Sequence, residues 1–248
     1  MVNNMSKISH KTALVTGGAK RIGKAMCEYL AKNGWNIAVH YLTSEKNANE
    51  TVKAIHSIGS KAISIKADLN NTEDTKNLFK LAKESLGSIG LLINNASIFL
   101  PEEWDNVTDD TWNKNLNINL KAPFVLSQEF AKSLPKQSNG LIINLIDQRV
   151  LKLKSDFFSY TLSKSGLYSM TQMLALSLGP RIRVNGIGPG PTLPNSLQTY
   201  EMFDLEARLT PLQKTVDPQD IARTMMYLID TESITGQMIA VDSGQHLS

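Results

Sequence analysis

The feature that most constrains the fold is an unbroken alternation of short apolar runs with longer amphipathic stretches along the chain. The short runs are typical of buried strands, and the stretches between them have helical spacing. Strands are predicted at Ala13–Thr16, Ile37–Tyr41, Ala62–Ile65, Leu91–Asn94, Leu141–Leu145, Arg183–Ile187 and Gln237–Val241. Helices are predicted at Ile22–Lys32, Glu45–Ile58, Thr72–Ser85, Asp109–Leu134, Phe157–Leu178 and Pro218–Leu228. This order predicts an α/β fold, a single doubly wound domain over residues 1–248 with about seven parallel strands.

Composition indicates a globular protein with enough apolar material for a large core, since 42% of the residues are hydrophobic and 20% are charged. The net charge of +3 arises from scattered residues, so no nucleic-acid partner is expected. The single cysteine, Cys27, excludes an intrachain disulfide. No apolar stretch approaches the roughly 20 residues that span a bilayer, and residues 1–11 lack the apolar centre of a signal peptide. We therefore expect a cytoplasmic protein with no membrane partner.

Two segments depart from the alternation. Residues 1–10 precede the first predicted strand and are expected to be flexible. Residues 188–216 contain four prolines and show little periodicity. A long irregular segment inside a compact domain is usually functional, so we predict a substrate loop, with Met202 and Phe203 as candidate substrate contacts. The alternative is an exposed insertion without a role.

A glycine-rich turn, TGGAKRIG at residues 16–23, follows the first predicted strand and opens the first predicted helix. Glycines let the backbone approach a pyrophosphate closely, and a helix N-terminus offers free N–H groups and a partial positive charge. In this context the turn predicts a Rossmann-type dinucleotide site. The alternative is a tight turn that binds no ligand.

The second predicted strand ends in the sequence HYLTS at residues 40–44, which contains no carboxylate. Enzymes that prefer NAD usually place a carboxylate there, against the ribose hydroxyls. Hydroxyl groups, together with Arg21 and Lys46 nearby, suit a 2′-phosphate instead, and therefore favour NADP. Alternatively, Arg21 and Lys46 are only solvated charges at helix ends.

Tyr160 and Lys164 stand one helical turn apart at the start of a long predicted helix, so they share one face. A lysine ammonium stabilises a phenolate, and we expect it to lower the tyrosine pKa from about 10 toward neutrality. Such a tyrosine is a general acid or base. The spacing alone also occurs on many helices that have no catalytic role.

Taken together, these motifs resemble the short-chain dehydrogenase/reductase family over essentially the whole chain. The turn at residues 16–23 matches the family's Thr-Gly-x-x-x-Gly-x-Gly, except that Arg21 replaces the middle glycine. The run 94–96 matches its Asn-Asn-Ala-Gly, with Ser97 in place of glycine. The resemblance implies an adenine contact at Asp68 and a role for Asn119 in supporting Lys164 through water.

The residues that the resemblance assigns to the cofactor lie in five segments of the chain. They are Gly17, Lys20, Arg21, Ile22 and Gly23; His40, Tyr41, Leu42, Thr43 and Ser44; Asp68 and Leu69; Asn95, Ala96 and Ser97; and Pro189, Gly190 and Thr192. The last group matches the family segment beside the nicotinamide. No metal is expected.

Asp147 stands where most members of the family have serine, and it directs attention to one subgroup. Asp147 and Arg21 are the substitutions found in pteridine reductases and bacterial dihydromonapterin reductases, and Phe99 occupies the position of their pterin-stacking aromatic ring. The C-terminal residues 242–247 are also similar to those of dihydromonapterin reductases. At residues 42–43, however, the basic residue that pteridine reductases often carry is missing.

The resemblance implies hydride transfer from NADPH to a C=N bond of a dihydropterin or dihydrofolate. The resemblance assigns catalytic roles to Tyr160, Lys164, Asp147 and Asn119. The residues expected to bind the substrate are Phe99, Arg21, Ser97, Asp147, Tyr160, Met202 and Phe203. Each of the three distinguishing residues also has an ordinary interpretation, because Phe99 can be a core aromatic, Asp147 can cap a helix or bind Arg149, and Arg21 can serve only the cofactor.

Two other functions stay open at this point. One is a carbonyl reductase of the same family, such as a 3-oxoacyl-carrier-protein reductase, which normally needs serine at the position of Asp147. The other is a catalytically silent NADP-sensing protein, since folds are sometimes retained for binding alone. The resemblance also implies a homotetramer assembled through the predicted helices Asp109–Leu134 and Phe157–Leu178.

Overall fold

The computed structural model describes residues 7–195 and 197–248, which form one sheet of seven parallel strands in the order β3-β2-β1-β4-β5-β6-β7. The strands are β1 (Thr12–Val15), β2 (Asn36–Tyr41), β3 (Ala62–Lys66), β4 (Leu91–Asn94), β5 (Gly140–Leu145), β6 (Ile182–Pro189) and β7 (Met238–Val241). The predicted α/β fold and its seven-stranded parallel sheet are confirmed. Each predicted strand is present, with boundaries that differ by at most two residues.

Helices cover both faces of the sheet. They are α1 (Arg21–Lys32), α2 (Glu45–Ser57), α3 (Thr72–Leu86), α4 (Asp109–Leu116), α5 (Ala122–Ser133), α6 (Phe158–Leu178), α7 (Tyr200–Arg208) and α8 (Pro218–Asp230). Side chains alternate across β1: Ala13 and Val15 join a core with α1 and α8, whereas Leu14 joins a second core with α3 and α5. This alternation follows from the pleat of a strand that is covered on both faces.

The chain reverses its winding direction at β1, which pairs with β2 on one side and β4 on the other. In a doubly wound sheet this arrangement opens a crevice beyond the carboxyl ends of the two central strands. The turn after β1 and the turn after β4 therefore face the same crevice. The fold places the glycine-rich turn and residues 95–97 side by side there.

Two of the predicted elements were wrong in form. The helix predicted over Asp109–Leu134 is divided by a π-helical turn at Asn117–Lys121, where the Ala122 N–H bonds to the Asn117 carbonyl. Pro123 has no N–H for the usual helical hydrogen bond, which explains why the regular pattern fails at this point. The segment 188–216, predicted to be irregular, contains α7, whose first turn is capped by the Thr199 hydroxyl.

The N-terminal prediction falls largely outside the described residues, because residues 1–6 lie there. Of the remainder, Ser9 exchanges hydrogen bonds with Asn139, and the His10 ring contacts the Ser138 hydroxyl at 3.0 Å. Within the part of the chain that the structure describes, no helix combines the length and apolarity needed to cross a membrane.

Candidate active site

The glycine-rich turn after β1 is held against the turn after β4 by side chains of both. The Thr16 hydroxyl accepts the Asn95 and Ala96 amides, each at 2.9 Å, and the Asn95 amide group donates to the Thr16 and Gly17 carbonyls. Gly17 has a φ of +61°, and a Cβ at Gly23 would meet the Gly17 carbonyl oxygen at 2.2 Å. Both glycines are therefore required by the backbone geometry itself.

His40 holds the other side of this turn. Its Nδ1 accepts the Gly17 amide at 3.0 Å, and its Nε2 lies 3.1 Å from the Ala67 carbonyl, so these contacts assign the ring proton to Nε2. Burial lowers the pKa of His40 to about 4, which keeps the ring neutral. The sequence predicted a direct cofactor contact, but the structure adds a second role, since His40 fixes the turn that would bind it.

A cavity of about 350 Å³ lies at this crevice. It is lined by Gly17, Lys20, Arg21, Ile22, Gly23, His40, Leu42, Ala67, Asp68, Leu69, Asn95, Ala96, Ser97, Ile98 and Ile118. Twelve of these residues were predicted from the sequence. The sequence missed Ala67, Ile98 and Ile118, because small or apolar residues carry no chemical signal.

The start of α1 suits a phosphate group. Lys20 is its N-cap residue, and no side chain among the described residues caps the first turn, which also lacks acidic residues. Free N–H groups and the positive end of the helix dipole therefore face the cavity. A diphosphate-containing cofactor fits this donor set.

Six predicted cofactor residues are not part of the described lining. Tyr41 is buried in a small cluster with Ala19 and Ala48. Thr43 and Ser44 follow Leu42 toward α2, and Pro189, Gly190 and Thr192 lie at and after the carboxyl end of β6. Lys46, considered for the 2′-phosphate, lines a separate surface depression on α2 with Glu45 and Lys53.

Arg21 links the cavity to the segment 188–216. Its guanidinium donates to the carbonyls of Leu193 at 2.9 Å and Pro194 at 2.8 Å. Its backbone φ of +56° lies in the left-handed region, which is unusual for a residue with a side chain and differs from the φ of a regular helix. The predicted contact of Arg21 with cofactor phosphates stays a prediction, whereas its contact with the loop is a feature that only the structure shows.

Asp147 joins Tyr160 at the carboxyl end of β5. The Tyr160 hydroxyl donates to Asp147 Oδ2 at 2.6 Å, and Asp147 Oδ1 accepts the Arg149 amide at 2.8 Å. Asp147 thus caps the short turn Gln148–Val150 and also binds the predicted catalytic tyrosine. The Arg149 guanidinium pairs with Asp156 instead, so the alternative of an Asp147–Arg149 side-chain pair is not realised.

The expected lowering of the Tyr160 pKa is wrong for this environment. Burial raises the pKa of Tyr160 well above its ordinary value, the negative charge of Asp147 raises it further, and the Arg149 charge and a Ser97 hydrogen bond only partly oppose them. Lys164 does not reverse this, because its Nζ lies 5.8 Å from the centre of the Tyr160 ring. The phenol therefore keeps its proton at neutral pH, and the proposed part of Tyr160 in proton transfer stays a prediction.

Lys164 is buried, with only 2% of its surface exposed. Its Nζ donates to the Leu145 carbonyl at 2.8 Å. Burial lowers the pKa of Lys164 to about 8, and the Asp147 charge acts in the opposite direction. The lysine therefore carries its positive charge below about pH 8.

Phe99 lies beside the tyrosine. Its ring stacks on Phe157 with centroids 3.8 Å apart, and it meets the Tyr160 ring edge to face at 4.7 Å. The Arg149 guanidinium carbon lies 5.3 Å from the centre of the Phe157 ring. Because Phe157 covers one face of Phe99, a flat ligand that stacks on Phe99 would use the opposite face.

Asn119 lies in the π-helical turn, fully buried, and connects three parts of the site. Its Oδ1 accepts the Ile98 amide and the Ser97 hydroxyl, and its Nδ2 donates to the Ser163 hydroxyl at 3.1 Å. π-Helical turns frequently occur at functional sites. The water-mediated link from Asn119 to Lys164 stays a prediction.

The two predicted substrate contacts on α7 differ in exposure. Met202 is 55% exposed, whereas Phe203 is 7% exposed and packs inside the protein. The amphipathic spacing of Phe203 and Ala207, both buried, explains why this part of the segment is helical. Met202 is therefore accessible to a ligand, whereas the buried ring of Phe203 packs the helix against the rest of the protein. Contact of either residue with a substrate stays a prediction.

Curated proteins resemble the chain over nearly its whole length. The family model of the short chain dehydrogenases matches residues 11–202. The chain is 31% identical over 246 residues to 3beta-hydroxysteroid dehydrogenase 1 of Eggerthella lenta, covering 96% of this chain and 94% of that protein. It is 30% identical over 244 residues to the 3-oxoacyl-acyl-carrier-protein reductase FabG of Staphylococcus epidermidis, covering 96% and 100%.

Solved structures resemble the chain still more closely. FolM alternative dihydrofolate reductase 1 of Brucella canis, complexed with NADP, is 42% identical with a TM-score of 0.94, covering 99% of this chain and 97% of that one. The corresponding protein of Brucella suis, in complex with NADP, is 43% identical with a TM-score of 0.93, covering 100% and 97%. With its family motifs assembled in one crevice and this similarity along the chain, the protein belongs to the short chain dehydrogenase family.

Proposed function

We propose that this protein reduces a pterin-type substrate, such as dihydromonapterin, dihydrobiopterin or dihydrofolate, with NADPH. The observation that carries the proposal is the hydrogen bond between Tyr160 and Asp147 beside the ring of Phe99. A carboxylate can accept the N–H groups of an aminopyrimidine edge, whereas a serine hydroxyl offers a single weaker acceptor. The likeness to two Brucella proteins named alternative dihydrofolate reductases supports the same substrate class.

NADP is the proposed cofactor. The uncapped first turn of α1 and the backbone of Gly17 would hold its diphosphate, and Asp68 would contact its adenine end. Lys20 at the cavity and the lack of a carboxylate in residues 40–44 favour the 2′-phosphate. When bound, the reduced nicotinamide supplies the hydride that the carbon of a C=N bond receives.

Tyr160 supplies the proton. Because burial and Asp147 raise its pKa, the phenol is protonated at neutral pH and can donate to the nitrogen of the C=N bond. Lys164 donates to the Leu145 carbonyl and its Nζ lies 5.8 Å from the centre of the Tyr160 ring, so its charge gives the remaining phenolate only weak support. Asp147, whose Oδ2 already accepts the phenol, shares this proton transfer, and Asn119 links Lys164 to solvent through water.

Phe99 orients the substrate by stacking on the face that Phe157 leaves free. Arg21 and Ser97 lie on the cofactor side of this position and would contact the cofactor phosphates and the polar edge of the pterin. Met202 contributes an exposed apolar side chain from the segment 188–216. The Arg21 bonds to Leu193 and Pro194 hold that segment next to the site.

A carbonyl reductase of the same family is the second candidate. The similarity to a hydroxysteroid dehydrogenase and to a 3-oxoacyl-acyl-carrier-protein reductase favours it. Asp147 opposes it, because a carboxylate repels the developing negative charge on a carbonyl oxygen. A silent NADP-sensing protein is a third candidate, opposed by the assembled hydrogen bonds of Tyr160, Lys164 and Asn119.

Steady-state oxidation of NADPH tests the proposal. The substrates are dihydromonapterin, dihydrobiopterin and dihydrofolate, measured beside an acetoacetyl thioester and with NADH as the cofactor control. We expect turnover of at least one pterin with NADPH. Turnover of the thioester alone would reject the pterin site and retain the family, and NADPH binding without turnover of any substrate would favour the sensing protein.

We also propose that the protein is a homotetramer. One side of α6 exposes Phe158, Leu162, Met173 and Leu176, which recur at helical spacing and form an apolar stripe along the helix. Leu176 is 86% exposed, and exposed apolar side chains that share one face of a helix indicate an interaction site more strongly than isolated ones do. A second copy of the same helix is the partner that this stripe fits.

A further inference from the structure

Glu102 connects the loop after β4 to the start of α6. Its side chain is buried, with 5% of the residue exposed, and its Oε1 accepts the Ser159 amide across 57 residues of sequence. Its backbone carbonyl accepts the Phe157 amide at 2.7 Å. Ser159 lies in the first turn of α6, where N–H groups have no partner inside the helix. A carboxylate there is also favoured by the helix dipole.

In the described part of the chain, no other side chain accepts an amide of this first turn. Phe157 is the N-cap residue of α6, and its own side chain accepts no hydrogen bond from the first turn of the helix. Phe157 has a φ of +52°, so the chain enters the helix through a strained residue. Glu102, a residue from a different part of the sequence, therefore holds the Ser159 amide of this first turn, while the Ser159 hydroxyl accepts the Asn115 side-chain amide at 2.8 Å.

Both residues that define the substrate position lie next to this contact. Tyr160 directly follows Ser159 on α6, and Phe99 lies on the same loop as Glu102. Phe99 stacks on Phe157 and meets Tyr160 edge to face, so the two elements touch through their aromatic rings as well. A shift of the loop relative to α6 would change the distance between the stacking ring and the proton donor.

We propose that Glu102 is a positioning residue that sets the distance between the ring of Phe99 and the hydroxyl of Tyr160. This proposal rests on the proposed function, because it assigns the two residues to stacking and proton donation. The Glu102 side chain acts through the Ser159 amide and does not itself touch the substrate, and the bond of its backbone carbonyl to the Phe157 amide is common to all the variants. Small displacements of catalytic groups are costly, since an error of about 1 Å can reduce the rate by about two orders of magnitude.

The chemistry of the contact identifies the variants to make. Glu102 Oε2 has no hydrogen-bond partner in the part of the chain that the structure describes, so Glu102→Gln keeps the acceptor for Ser159 and breaks no other bond. Glu102→Met fills a similar volume without an acceptor. Asp217→Ala is the matched control, because Asp217 accepts the Gln219 amide at the same position of α8, at 2.8 Å.

We expect Glu102→Met to lower kcat for the pterin substrate by about tenfold or more, with the NADPH dissociation constant unchanged within about twofold. Glu102→Gln should restore most of the rate. Asp217→Ala should lower the melting temperature and leave kcat unchanged. Wild-type kcat in Glu102→Met, or an equal loss in Asp217→Ala, would overturn the proposal. If Glu102→Met does not fold, Glu102→Asp, which withdraws the carboxylate by one methylene, should show the same loss of kcat.

Hydrogen exchange separates a failure of this proposal from a failure of the proposed function. The amides of residues 157–161 should exchange faster in Glu102→Met than in the wild type, without any substrate present. If the wild type reduces no pterin, the proposed function fails while this measurement still tests the contact. Unchanged exchange in an active enzyme would reject Glu102 as the residue that holds α6.

Discussion

The hydroxyl of Tyr160 donates to Oδ2 of Asp147 at 2.6 Å, and the other oxygen of the same carboxylate is fixed by the Arg149 amide. One oxygen of the carboxylate therefore caps the turn, and the other accepts the phenol. Burial and the charge of Asp147 raise the pKa of Tyr160, so the phenol keeps its proton at neutral pH. Asp147 is thus both a cap of the turn and one cause of the raised Tyr160 pKa.

Changing Tyr160 to Phe removes the proposed proton donor and keeps the ring that packs against Phe99. We expect kcat for the pterin to fall by about two orders of magnitude or more, since general acid catalysis contributes that much. The NADPH dissociation constant, measured by fluorescence titration, should stay within about twofold. Unchanged turnover would remove Tyr160 from the mechanism.

Asp147→Ser should reduce turnover of a pterin more than turnover of a simple ketone, because only the pterin presents N–H groups to the carboxylate. The measurement is the ratio of kcat/KM for the two substrates. Asp147→Asn is the control, since its amide oxygen can still cap the Arg149 amide without the charge. Equal losses for both substrates in Asp147→Ser, with full recovery in Asp147→Asn, would show that Asp147 is only a cap.

Leu42→Asp should shift the cofactor preference from NADPH toward NADH. Leu42 lines the cavity and is 43% exposed, so a carboxylate fits there without disturbing the core. It would repel a 2′-phosphate and accept hydrogen bonds from ribose hydroxyls, raising the KM for NADPH by at least about tenfold. Leu42→Asn introduces a side chain of the same shape as aspartate but without its charge, so it should change the KM for NADPH much less. A KM for NADPH that stays at the wild-type value in Leu42→Asp would place the 2′-phosphate elsewhere.

His40 should make the stability of the protein depend on pH. Its pKa falls from 6.5 to about 4 on folding, chiefly because it is buried, so the unfolded chain binds more protons between these values. The free energy of unfolding should therefore decrease as pH falls from 6.5 toward 4, by up to about 3 kcal/mol. Urea unfolding at several pH values measures this loss. His40→Gln should lose less stability over the same range, and an identical slope in both proteins would contradict the assignment.

Leu176→Lys should disrupt the proposed assembly, because it places a charge in the apolar stripe of α6. Sedimentation should show a smaller oligomer than the wild type. Leu81→Lys changes an exposed leucine on α3, outside the stripe, and should leave the mass unchanged. A wild-type protein that sediments as a monomer would refute the tetramer directly.

The sequence by itself determined the strands, most of the helices and the family motifs. Each of these depends on short-range patterns, such as the alternation that buries both faces of β1 or the spacing that places Tyr160 and Lys164 one turn apart. The glycine-rich turn is equally local, because its glycines are required by the backbone within residues 16–23. A helix as short as α7 gives only a weak local pattern of about two turns. It was missed because the prolines around it mask that pattern.

Only the tertiary structure decided how the site residues are used. The pKa of Tyr160 follows from burial and from a carboxylate 13 residues away, so its net shift is upward, opposite to the lowering that the neighbouring Lys164 led us to expect. The contacts of Arg21 with residues 193–194 and of Glu102 with Ser159 join segments that are distant along the chain. Desolvation and long-range hydrogen bonds depend on which surfaces meet when the sheet and helices pack, and no local pattern in the sequence encodes that meeting.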